Sequence, residues 1–144
     1  MAEPTTHRPG EPPQPLFLAL LICDHTIRDG ETGKVSLIGI FANIQALDFP
    51  VLNPGLSVYV NMDDAEGEYL MRLELLRVED METLGAGEMK VTFSDRMLPS
   101  EVIFDLRNLV FDRAGEYKFR VLANGRTIGD KTFRVLKIPG GKAT

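Results

Sequence analysis

The chain has no tryptophan, one cysteine and two histidines in 144 residues. The single Cys23 excludes an internal disulfide, so the fold must stand on packing alone, which suits a reducing compartment. One Cys and one His (His25) in the folded part cannot close a four-ligand zinc site without carboxylates, so no metal and no cofactor is expected. No run approaches the ~18 apolar residues of a membrane helix. No window carries a convincing 3.6-residue apolar period, so helix is not expected. The formal net charge of −5 argues against a nucleic-acid surface, which rests on clustered Lys and Arg.

The apolar run 16–22 before Cys23 invites a secretion or lipoprotein reading, and three features oppose it. The run is only seven residues long, the stretch before it carries Glu3, Arg8 and Glu11 rather than a basic cluster, and Ile22 stands where a small residue precedes cleavage. The expectation is therefore a cytoplasmic protein.

What is present is a core-forming composition of single-domain length, with 44% hydrophobic residues. Five of the nine prolines fall in residues 1–15, which hold little to bury and read as a disordered tail. A single β-sandwich domain is expected over 16–138, followed by a loose tail over 139–144.

The strand signals are dense. Tyr117, Phe119 and Val121 alternate with Glu116, Lys118 and Arg120, the period of a half-buried strand. Asn124-Gly125 then predicts a type I′ hairpin turn, and Phe133 and Val135 mark the return strand. Asp112, Gly115 and Tyr117 form an Asp-x-x-Gly-x-Tyr corner similar to the tyrosine corner of immunoglobulin-like sandwiches. Upstream, residues 16–23, 35–44, 56–60, 69–75, 89–93 and 102–106 each read as a strand, with loops over 24–34 and 81–87. About eight short strands separated by Gly and Pro turns predict an all-β fold, an antiparallel immunoglobulin-like (Greek-key) β-sandwich.

The strand ending Ile22-Cys23-Asp24, then Gly33-Lys34-Val35-Ser36-Leu37-Ile38-Gly39-Ile40-Phe41, Phe49-Pro50 and the closing Gly115-Glu116-Tyr117-Lys118-Phe119 together resemble a family of small uncharacterised bacterial proteins. That family is known only as a domain of unknown function. The resemblance covers about residues 16–137. It implies a bacterial, cytoplasmic setting and brings no activity, cofactor or catalytic residue.

Candidate chemistry is sparse. Gly30-Glu31-Thr32-Gly33-Lys34 has too few residues between its glycines for a phosphate loop and leads into a strand rather than a helix. Cys23 with His25 is the one arrangement that an enzyme could use as nucleophile and base, and a buried small side chain followed by a loop histidine is the plainer reading. Asp63, Asp64, Glu66 and Glu68 match no calcium-loop spacing and read as a solvated turn.

Charge is placed unevenly. Residues 61–90 hold nine acids against three bases, and residues 113–142 hold eight bases against two acids. The expected function is a non-catalytic protein-interaction or scaffold module. Its contact surface is Asp63, Asp64, Glu66 and Glu68 on one side and Lys118, Arg120, Arg126, Lys131 and Arg134 on the other, meeting a protein partner or a second copy through complementary charge. The alternative is a small-molecule or carbohydrate-binding sandwich using loops 24–34 and 81–87.

Overall fold

The structure is a computed structural model that describes residues 10–139. Nine strands follow in chain order: β1 (Leu16–Arg28), β2 (Val35–Phe41), β3 (Asn43–Ala46), β4 (Val51–Asp63), β5 (Gly67–Arg77), β6 (Glu82–Phe93), β7 (Ser100–Phe111), β8 (Gly115–Ala123) and β9 (Arg126–Lys137). They form a four-stranded sheet of order β2-β1-β4-β7 and a five-stranded sheet of order β3-β9-β8-β5-β6. Every pairing is antiparallel except that of β3 with β9.

The count of nine corrects the expected eight. The run 35–44 has the sequence pattern of one strand, but the chain breaks after Phe41. β2 stays beside β1, while β3 crosses to the other sheet and runs parallel to β9. The expected loop 81–87 is mostly strand, because β6 begins at Glu82 and pairs with β5 through Gly85 and Gly87. Residues 24–28 of the other expected loop continue β1.

The core lies between the two sheets and follows the period-two pattern. Tyr69, Met71, Leu73 and Leu75 of β5, Val58, Val60 and Met62 of β4, and Tyr117, Phe119 and Val121 of β8 are all buried. Phe133 stacks on Phe119 at a centroid distance of 5.1 Å, and Phe111 meets Tyr117 edge-on at 5.0 Å. Each such side chain contributes roughly 1.5–3 kcal/mol by leaving water, which is how a chain without disulfides holds together. The Phe17 ring of β1 packs against Gly129 of β9, joining one sheet to the other.

The tails expected over 1–15 and 139–144 lie outside the described residues up to residue 9 and from residue 140. Pro15 is buried, and the Pro13 carbonyl accepts a hydrogen bond from the Tyr69 hydroxyl at 2.5 Å, so residues 13–15 run along the sandwich.

Candidate functional site

The β8–β9 turn forms as its residues dictate: Asn124 and Gly125 both have positive φ, 50° and 83°. Asn124 also bonds Leu70 twice, its side chain accepting from the Leu70 amide and its own amide donating to the Leu70 carbonyl. This brings the hairpin tip beside the start of β5, and hence beside the acidic 63–68 turn. Asp64 of that turn pairs with Arg96 at 3.7 Å. Arg96, Asn124 and Arg126 line one hollow of about 550 Å³ together with Tyr69 and residues 11–15. Acidic and basic segments distant in sequence thus meet at one end of the same molecule.

The basic hairpin residues are drawn into their own sheet. Arg120 reaches Glu74 at 2.7 Å, and Lys118 lies 3.7 Å from Asp130. Glu74 is clamped from its other side by Arg72 at 2.9 Å, and Arg72 also reaches Glu88. The bond from Arg72, then that from Arg120, holds the Glu74 carboxyl below its ordinary value. Among the described residues Asp63, Glu66, Glu68, Lys131 and Arg134 carry no ion pair, and they are the charges left to face outward.

At the corner, the Tyr117 hydroxyl donates to the Arg113 carbonyl at 2.7 Å, and Gly115 takes φ +148°. Asp112 is held by Arg77, which sequence reasoning passed over. The Arg77 side chain is only 9% exposed and also meets Asp80 and Glu82, each at 3.0 Å. A signal was available: Arg77 continues the inward phase of Tyr69, Met71, Leu73 and Leu75, and a charge in that phase must find partners.

The four-stranded sheet carries a polar row. Cys23, Ser57 and Asp105 lie side by side on β1, β4 and β7. The Ser57 hydroxyl donates to Asp105 at 2.5 Å, and the Cys23 thiol donates to the Ser57 carbonyl at 3.7 Å. Cys23 is fully buried, and burial pushes its thiol up, with the charges of Asp24 and Asp105 adding to the effect. A thiol so placed is the reverse of an activated nucleophile. β1 parts from β4 after the Cys23–Ser57 pair, leaving a depression of about 370 Å³ lined by Asp24, His25, Thr26, Gly55, Ser57, Asp105 and Arg107. His25 thus shares a depression with Ser57, but the serine proton already points at a carboxylate.

A second opening lies between the sheets, where β6 and β7 are both edge strands. It measures about 190 Å³ and is lined by Leu73, Leu75, Phe119, Leu106, Leu109 and Arg107, with Gly85 and Gly87 on its β6 side. The loops 24–34 and 81–87 therefore supply residues to two separate openings, and Arg107 borders both. Among the described residues no group of three or more His, Cys, Asp or Glu could hold a metal ion, and no helix is long and apolar enough to cross a membrane.

No curated protein matches the chain. Among solved structures it is similar to the Pseudomonas fluorescens alkylpurine DNA glycosylase AlkC bound to DNA containing an abasic site analog, with 12% identity and a TM-score of 0.47. That similarity covers 66% of this chain and 27% of the glycosylase, so the chain spans about a quarter of that protein's length. A family model matches residues 18–136, and the chain belongs to that family, a family of unknown function (DUF6941).

Proposed function

We propose that this protein is a non-catalytic, immunoglobulin-like interaction module of the bacterial cytoplasm that pairs with a second copy of itself through β2. The Greek-key reading is supported by strand order. β9-β8-β5-β6 follows the G-F-C-C′ order of such domains, and β1-β4-β7 follows A-B-E, with the Tyr117 corner at the start of β8. The non-catalytic reading is supported by the buried Cys23 thiol and by the Ser57–Asp105 bond. One buried cysteine suits a reducing cell interior.

The observation that carries the interaction reading is the chemistry of the sheet edges. The four edge strands are β2, β7, β3 and β6. Natural edges are guarded by charge, proline or shortness. β6 carries Glu82, Glu88 and Lys90, β7 carries Glu101, Asp105 and Arg107, and β3 has only four residues. β2 reads Val-Ser-Leu-Ile-Gly-Ile-Phe with no charge and no proline, and its Ile38 and Ile40 are exposed. Among the long edge strands β2 alone is uncharged, so its match is another β2. A two-fold axis lets the two strands pair antiparallel, closes the assembly and covers Ile38 and Ile40 on both copies. The unpaired charges Asp63, Glu68, Lys131 and Arg134 steer approach rather than set affinity.

Native mass of the full chain at about 50 mM and about 500 mM salt tests this, since screening weakens charge contacts but not strand pairing or apolar cover. A dimer at both concentrations, lost in Ile38→Lys with the melting temperature of the monomer unchanged, is the expected result. A monomer throughout overturns the pairing. A dimer that dissolves in salt and ignores Ile38→Lys transfers the contact to the charged faces.

A further inference from the structure

The slot between β6 and β7 has no structural reason to exist. Met89, Val91 and Phe93 of β6 turn inward and pack on the core. Gly87 and Gly85 continue that inward phase, opposite Leu73 and Leu75 of β5. Neither glycine has the positive φ that would demand glycine. Nor does a neighbour exclude a side chain: a Cβ at either position meets nothing within 4 Å. This differs from Gly129, where Phe17 occupies the space. Glycine inside a strand gives up packing and ordering entropy. Here it leaves unfilled an apolar slot of about 190 Å³ beside the buried Leu73, Leu75 and Phe119.

Arg107 stands at the rim on β7. It is exposed, and among the described residues no ion pair or hydrogen bond ties its guanidinium. We propose that the slot binds a small apolar carboxylate, its hydrocarbon body on Leu73, Leu75 and Phe119 and its carboxylate on Arg107. Size supports this, since an apolar cavity of about 150 Å³ accepts benzene. The charge of the ligand follows from the rim. One guanidinium fork matches one carboxylate, while Asp105 two residues away disfavours a dianion such as a phosphate monoester. The slot borders β7, at the opposite edge of its sheet from β2, so this inference stands apart from the pairing proposed above.

Methyl NMR of the full chain provides the test, with benzoate as probe and benzyl alcohol as its neutral counterpart. Both are expected to shift the methyl signals of Leu73, Leu75, Leu106 and Leu109, with benzoate bound about tenfold more tightly, the scale of a charge-assisted hydrogen bond. Arg107→Gln removes that tenfold difference and leaves benzyl alcohol unaffected. Gly87→Val fills the slot and blocks both probes, and Gly85→Val serves the same end from the next inward position should Gly87→Val not fold. Wild-type methyls unmoved by either probe overturn the proposal. So does benzoate binding that survives the filled slot, or equal affinity for the two probes.

Discussion

The Arg77 guanidinium holds both carboxylate oxygens of Asp112, at 2.9 and 3.0 Å, and so ties the end of β5 to the link between β7 and β8. Its other terminal nitrogen binds Asp80 and Glu82. Removing one partner of a buried charge leaves that charge uncompensated. Asp112→Asn is therefore expected to lower the urea midpoint more than Glu82→Gln, because Asp112 supplies two bonds and Glu82 one. Equal midpoints for the two variants would show that the Asp112 link carries no special weight.

Acid stability is expected to depend on Glu74. Arg72 first and Arg120 second hold its folded pKa below the ordinary 4.5. A lowered folded value means that the contribution is complete above 4.5 and is lost as pH falls through the folded value. Asp80 and Asp112 shift in the same direction, Asp80 through the Glu82 amide and Asp112 through Arg77. Glu74→Gln should lower stability at neutral pH and flatten the acid limb of urea midpoint against pH. An acid limb unchanged in slope would assign it to other carboxylates.

The alkaline limb should belong to Tyr59. Burial above all, then its hydrogen bond to Glu101 and the charge of that carboxylate, pushes the phenol from 10 up to about 12. The folded state keeps the proton longer than the unfolded chain. The contribution is thus complete below pH 10 and is lost as pH rises towards about 12. Burial also raises Tyr69. In Tyr59→Phe the loss of stability over this window should shrink, and tyrosinate absorbance should lose a component that titrates at about 12. A wild-type chain whose three tyrosines all ionise near 10 would contradict the half-buried Tyr59–Glu101 pair.

The β8–β9 hairpin was legible in the sequence because each of its signals is local: alternation along β8, and a turn pair able to take positive φ. β3 was hidden because only Ala42, neither glycine nor proline, stands between it and β2, and the path of the backbone alone separates them. Gly85 and Gly87 read as loop because glycine usually breaks strands, whereas here the strand persists and only its side chains are missing. The charge blocks were real but incomplete. Glu74 and Arg120 are 46 positions apart, and strand register, which composition does not encode, brings them together. The same holds for Ser57 and Asp105.

The two kinds of glycine should respond oppositely to one methyl group. A Cβ at Gly129 would lie 2.4 Å from the Phe17 ring, so Gly129→Ala must displace the ring that joins the sheets. Overpacking of this kind costs about 1–3 kcal/mol. Gly87→Ala enters open space without backbone strain and should be neutral or stabilising by about 0.5 kcal/mol. Chemical denaturation of both variants checks the contrast, and a Gly129→Ala chain as stable as wild type would mean that Phe17 moves aside at no cost.

Cys23 separates a binding module from an enzyme most directly. A catalytic thiol must be exposed and easily ionised, and this one is buried with its pKa raised. Alkylation of the folded chain is expected to be at least about a hundredfold slower than in urea, because the reagent must wait for the structure to open. The opening that matters is local. Cys23–Ser57 is the last pair between β1 and β4, so parting that end exposes the sulfur while the core stays closed. Labelling should therefore rise only weakly with low urea, and Ser57→Ala, which loosens the row at Asp105, should quicken it. Rapid native labelling would place a reactive thiol on the same strand as His25 and turn attention back to chemistry at the end of β1.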